Sequence, residues 1–231
     1  MRPNYVKNKL AYERGQLLSK DFAPHNVENK LARRYDDPRG VLNMWVDETR
    51  EKTGESIPYF DPDAGIEGVR VLMLLQDPSN AADGESGFIS RYNNDPTAQN
   101  VYKTCEATGL RYETYLPWNV VPWWVMNPAM GGQGRTLANQ AARARPYLIE
   151  FLDLLPEAPA VIILSGNEAQ KAWRSATKTG VPANLRGAKI FDDCPHPAGQ
   201  AYNNIDHKTG IKNSIRLERI FAEAAQRVGN T

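Results

Sequence analysis

The chain has 231 residues, 41% of them hydrophobic, enough to bury a full core and within the usual range for one domain. Its 28 lysines and arginines nearly balance 27 acids, and a net charge of +1 excludes an overall field able to hold a polyanion, so any nucleic-acid surface must be local. Two cysteines, Cys105 and Cys194, exclude a disulfide scaffold. With no apolar signal core in MRPNYVKNKLAYERG and no run near the ~20 residues that span a bilayer, a cytoplasmic protein with no membrane partner is expected.

In chain order, the first 60 residues are charged and aromatic, with a helix predicted over 41–53 and loops at DDPRG and IPYFDPDAG. Residues 1–65 read as an N-terminal extension packed on a core of residues 66–231, the whole forming a single domain. VRVLMLLQ (69–76) is apolar on both faces, as a central strand covered by helices must be. TAQNVYKTCEATGL has helical spacing and a closing Gly109, and TYLPWNVVPWWV suits a second strand that breaks at a proline. RTLANQAARARPYLIEFLDLL is a long helical pattern with an expected kink at Pro146. AVIILS, a helix over 166–178, AKIFDD and the amphipathic IKNSIRLERIFAEAAQRV complete the pattern. Strands alternating with helices predict an α/β fold: three layers, α/β/α, around a central, mostly parallel four-stranded sheet.

In such a sheet a ligand sits beyond the carboxyl ends of the strands. That rule selects QDPSN, the region of Asn119, SGN and CPHPAGQ. Each has two readings. Asp77 before Pro78 is either a strand-end cap or a working carboxylate, and His196, stiffened by Pro195 and Pro197, is either a solvated loop histidine or a catalyst. Asn119, inside a hydrophobic strand, must bond nearby backbone or face a ligand, because an unpartnered buried amide is costly. Gly166 and Asn167 cap a helix that could equally receive a phosphate. Lys171, Arg174, Lys178 and Arg186 are either a solvated face or positive charge beside that turn, and the tryptophans of VVPWWV read as core aromatics.

Taken together and in order, these stretches resemble the uracil-DNA glycosylase superfamily from about residue 69 to about residue 203. Gln76-Asp77-Pro78 resembles the family's first motif, Phe88 falls near its base-stacking aromatic, and TAQNVY is similar to the helix start after its proline-rich loop. Asn119 falls on the strand asparagine that reads the pyrimidine edge. ILSGNEAQKAW is similar to the third strand and phosphate-binding turn, and His196-Pro197 opens the second catalytic motif. The resemblance implies Asp77 and His196 as catalytic, Gln76, Phe88 and Asn119 as base-binding, and Ser79, Gly166, Asn167, Ala198 and Gln200 as DNA-binding residues. It implies no cofactor and no metal, DNA as partner, and a monomer as the expected state.

Cleaving an N-glycosidic bond leaves positive charge on the sugar and negative charge on the departing base. Under the resemblance Asp77 stabilises the first and orients water, and His196 donates a hydrogen bond to the second. The expected activity is removal of uracil from DNA to leave an abasic site. A glycosylase for another deaminated or 5-modified pyrimidine, a non-catalytic lesion-binding protein and an enzyme of free nucleosides remain as alternatives. Departures from the best-known branch bear on this choice: Ser79 and Asn80 replace a tyrosine and a histidine, and Ala-Gly-Gln-Ala-Tyr replaces Ser-Pro-Leu after His196-Pro197. The leucine that wedges into duplex DNA is therefore missing from its usual place, with Gln200 or Tyr202 as candidates to fill it. Two cysteines are too few for the iron–sulfur branches. Asp61 and Asp63 in FDPDAG are too sparse for a calcium loop and read as turn formers.

Overall fold

A computed structural model describes residues 5–131, 134–178 and 180–229. Its strands are β1 (Tyr59–Phe60), β2 (Val71–Leu75), β3 (Phe88–Ile89), β4 (Tyr115–Asn119), β5 (Val161–Ser165) and β6 (Lys189–Cys194). Four of them form one sheet in the order β4-β2-β5-β6, with every neighbouring pair parallel, and β1 pairs with β3 in a separate two-residue ribbon. The helices are α1 (Lys9–Glu13), α2 (Pro24–Ala32), α3 (Gly40–Thr53), α4 (Pro96–Thr108), α5 (Leu137–Asp153), α6 (Asn167–Ala176), α7 (Gly199–Asn203) and α8 (Asn213–Gly229). They cover the sheet in two layers: α4 packs with α8, which lies on β6, while α5 packs with α6, which lies on β5 and β2. The architecture is the expected three-layer α/β/α. No helix among the described residues is long and apolar enough to cross a membrane.

The inner strands β2 and β5 are apolar at almost every position because helices shield both faces; Val71 to Leu74 and Val161 to Leu164 are all fully buried. The edge strand β6 exposes Lys189, Asp192 and Asp193, charges that discourage pairing with another chain. Helix α4 starts where Asp95 accepts a hydrogen bond from the Ala98 N–H (2.9 Å) with Pro96 at its first position, and stops at Gly109. Helix α5 runs through Pro146 as one element.

Strand β4 is shorter than the predicted 114–125. It ends at Asn119, although the Val120 and Val121 N–H groups still bond to the Leu75 and Gln76 carbonyls. The tryptophans beyond it divide: Trp123 is buried, whereas Trp124 is partly exposed and not a core residue. Ahead of it on β4, Trp118 stacks on Phe60 (ring centroids 3.6 Å apart) and meets Trp45 of α3 edge-on, so the N-terminal segment supplies part of the main core.

The first 60 residues hold more structure than the single predicted helix. Helices α1 and α2 are five and nine residues long, too short to be stable on local propensity, and tertiary bonds hold them. The Asn8 side chain caps α1 and donates to the Arg91 and Asn93 carbonyls, both at 3.0 Å. Lys30, only 7% exposed, forms ion pairs with fully buried Asp61 and, at 2.8 Å, with Asp63. Asp61 also accepts from the Ser90 and Tyr112 hydroxyls. The aspartates of FDPDAG thus turn the chain, as Asp63 N–H bonding to Asp61 shows, and also fasten the N-terminal segment to the region around Ser90.

Candidate functional site

The parallel sheet brings four strand ends to one edge. From β4 across to β6 they carry Asn119, Gln76-Asp77, Ser165-Gly166 and, after Cys194, Pro195-His196. The pairing of Leu75 with Asn119 sets the amide beside the start of the QDP turn. Between Ile163/Phe191 and Ser165/Cys194 the β6 strand gains a residue, a bulge that bends the chain where it leaves the sheet. A cleft of about 500 Å³ opens at this edge, and Gln76, Asp77, Ser79, Asn119, His196 and Ala198 all line it. The structure therefore brings together six of the ten residues singled out from sequence.

Asp77 is held from two sides. Its Oδ1 accepts from the Gln76 side-chain amide (2.9 Å) and its Oδ2 from the Val125 backbone N–H (3.0 Å), which leaves each oxygen a lone pair for a further donor. Burial pushes the carboxyl above its ordinary pKa, with the Val125 and Gln76 bonds working against that rise. His196 accepts the Ala198 N–H at Nδ1 (3.1 Å). Its proton in the neutral form consequently resides on Nε2, which is a donor, and burial lowers the imidazole pKa and favours that form. The loop carrying it is tied down on three sides: Asn100 donates to the Pro197 carbonyl (2.8 Å), Ser165 to that of Pro195 (3.1 Å) and Gln170 to that of Cys194 (3.2 Å).

Asn119 is 4% exposed, and its side-chain amide makes no hydrogen bond among the described residues. Of the two readings left open by the sequence, backbone partner or ligand, the first is thereby removed.

The other four residues lie elsewhere. Phe88 does not line the cleft. It is fully buried against Tyr59 (6.1 Å between ring centroids), and the next residue, Ile89, faces the cleft instead. The cause is strand geometry: β3 pairs with β1, successive side chains point to opposite faces, and one register step separates a stacking position from a core position. The expectation that Phe88 contacts a ligand is corrected accordingly. Gly166 is at the β5–α6 turn and touches the site indirectly, with its backbone against the His196 ring. Asn167, the first residue of α6, and Gln200 of α7 are exposed and outside the cleft lining. Lys171, Arg174, Lys178 and Arg186 are all exposed, and Lys171 is paired with Glu168 at 2.7 Å.

Sequence reasoning missed several parts of the cleft. Ile89, Ser90, Arg91 and Asn93 come from the segment after β3, Asp95 and Thr97 from the start of α4, and Trp124 and Met126 from the loop after β4. The Asp-Pro helix start at Asp95 was a readable signal; nothing in the spacing marked the others. No group of three or more His, Cys, Asp or Glu side chains that could hold a metal ion occurs among the described residues.

Among known proteins, the family model described as the uracil DNA glycosylase superfamily matches residues 62–222. No individual curated protein matches the chain in sequence. The family match spans every strand of the main sheet and every cleft residue named above, well over half of the chain. The chain belongs to the uracil DNA glycosylase superfamily, which supports a glycosylase-type function acting on DNA.

Proposed function

We propose that the protein is a monofunctional DNA glycosylase that hydrolyses the N-glycosidic bond of uracil and leaves an abasic site. The observation that carries this reading is the company Asn119 keeps: a residue 4% exposed whose amide has no hydrogen-bond partner among the described residues and opens on the same cleft as a carboxylate and a neutral imidazole. An amide open to the cleft offers a donor beside an acceptor, and so suits a ligand edge that carries an acceptor beside a donor. Uracil presents O4 beside N3–H; cytosine presents the reverse order, N4–H2 beside N3, so the orientation in which the amide is held sets the choice between them.

The chemistry follows from the two held groups. The base must leave the stack to reach the cleft, where Ile89 and Trp124 supply apolar walls. As the bond lengthens, ionised Asp77 stabilises the cationic sugar, and the lone pairs left on its oxygens orient water toward the anomeric carbon. Nε2–H of neutral His196 donates to the base oxygen that gains negative charge. A neutral donor serves here because the base leaves as an anion and regains its proton from solvent later. The expected state is a monomer, and no cofactor enters any step.

Ser79 favours a second reading. A small hydroxyl lines the cleft where the best-known branch has a bulky tyrosine that excludes a 5-methyl group, so a 5-modified pyrimidine is the alternative substrate. The test is excision from oligonucleotides carrying single modified bases, with abasic sites cleaved by alkali, using wild type, Asp77→Asn and His196→Ala. Each variant is expected to lose roughly 10²–10³-fold in rate, the usual effect of deleting one preorganised group. Equal cleavage by all three proteins refutes the assignment. Excision of a 5-substituted base in preference to uracil selects the second reading.

A further inference from the structure

Taking a base out of a duplex leaves a hole in the stack, and DNA-binding proteins that distort the duplex often insert an apolar side chain between base steps. The loop after His196 supplies no such group. Pro197 is buried, Ala198 lines the cleft, Gly199 opens α7, and Gln200 is polar and lies outside the cleft. Tyr202 is half-buried and packs on the core.

A different loop offers one. Beyond β4 the Asn127 N–H donates to the Trp124 carbonyl (3.2 Å), which closes a turn with Val125 and Met126 at its two central positions. Val125 faces inward at 3% exposure, while Met126 is 58% exposed. Among the described residues, Met126 is the one large apolar side chain that is both exposed and part of the cleft lining. The turn is fastened at three points: Val125 N–H to Asp77 (3.0 Å), the Asn127 amide to Asp83 (2.7 Å) and the Trp123 indole N–H to Gln140 (2.9 Å). Asp83 sits on the short π-helical segment Ala81–Ser86, so the turn is braced from the chain that follows the QDP motif. The turn is already fixed, so insertion orders only the Met126 side chain, and its unbranched chain adapts to either neighbouring base.

We infer that Met126 enters the stack of duplex DNA and fills the gap left by the extruded nucleotide. The inference rests on the base-excision reading above. Because the turn bonds to Asp77 through Val125, the inserted side chain and the carboxylate share one rigid unit, so seating the first registers the second.

The experiment measures single-turnover excision from a single strand and from a matched duplex with wild type, Met126→Ala and Met126→Leu. Met126→Ala is expected to lose roughly 10–100-fold more on the duplex, where a base step is left unfilled, than on the single strand, where only its contact with the cleft is lost. Met126→Leu should restore the duplex rate. A second measurement needs no turnover: 2-aminopurine beside an abasic-site analogue in a duplex should change fluorescence on adding wild type or Met126→Leu, but not Met126→Ala. Equal losses on both strands, an unchanged duplex rate or a Met126-independent fluorescence change overturns the inference while leaving excision intact. Wild type silent on both strands, with the Met126-dependent signal present, overturns the excision reading instead.

Discussion

A methyl group added at Gly166 tests how tightly the imidazole is held. Gly166 has φ +87° and ψ 162°, a region open almost only to glycine, and an alanine there carries about 1–3 kcal/mol of backbone strain. The new Cβ would also stand 3.0 Å from His196 Cβ and 3.1 Å from its Cδ2, against an ordinary carbon contact of about 3.5–4.0 Å. One side must give by a few tenths of an ångström. The Gly166 backbone is fixed by its N–H bond to the Cys194 carbonyl (2.9 Å), and the Pro197 side of the histidine loop is fixed by Asn100, so the movement falls on the ring and its Nδ1 bond. A misplacement of about 1 Å at a reacting group costs roughly 10²-fold, and a shift of a few tenths costs a part of that. Gly166→Ala is therefore expected to melt about 2–12 °C lower, and to lose roughly 3–30-fold in single-turnover excision measured well below its Tm. Gly54→Ala supplies the control: its φ is +70° with nothing within 4 Å of the new Cβ, so it should lose stability and keep its rate. A Gly166→Ala protein that is destabilised yet as fast as wild type refutes the claim that the ring position matters.

Four further outcomes follow from the structure. Since burial raises the Asp77 pKa and lowers that of His196, excision should fall off on the acid side at a pH above the ordinary carboxylate range, with no separate loss near 6.5; a rate that halves at pH 6.5 and is restored in His196→Gln would show a charged imidazole at work. A carboxyl whose folded pKa lies above its unfolded 3.8 loses stability as pH rises through that interval, so Asp77→Asn should melt no lower than wild type at pH 7 by calorimetry while losing its activity. Asn119→Leu removes an amide that has no hydrogen-bond partner among the described residues, and is expected to hold stability within about 1 kcal/mol in urea titrations while excision drops at least tenfold; a destabilised variant would mean that the amide supports the fold. Lys30→Met leaves Asp61 buried without its cation and should cost about 3–5 kcal/mol, read as a Tm lower by roughly 6–20 °C, whereas a drop of a degree or less would show that the N-terminal segment is not fastened through this pair.

What could be read before the structure, and what could not, divides by the range of the physical signal. The central strands announced themselves because a strand covered on both faces must be apolar at every position, and the strand-end rule then selected Asp77, Asn119 and His196 with no knowledge of contacts. Phe88 was misplaced because its surroundings depend on a two-residue ribbon with β1, and no local pattern encodes which of two adjacent residues, Phe88 or Ile89, faces the cleft. Helices α1 and α2 were invisible for a related reason: they are held by Asn8, Lys30 and Asp61, whose partners are 29 or more positions away.

The loop after β4 shows where such reasoning fails most instructively. Its sequence, VVPWWVMNP, reads as apolar throughout and suggested a strand with core tryptophans. Folded, it alternates in purpose: Val120 and Val121 continue the sheet, Trp123 anchors on α5, Val125 gives its N–H to Asp77, and Trp124 and Met126 turn to the cleft. An apolar side chain in the core and one aimed at a ligand have the same composition. Only the turn that carries Val125 and Met126 distinguishes them, and the Val125 N–H fixes that turn to the Asp77 carboxylate beyond the end of β2. The site therefore shapes the loop as much as the loop shapes the site, which is why exchanging Asp77 for a residue that cannot accept should disturb the exposed methionine as well as the chemistry.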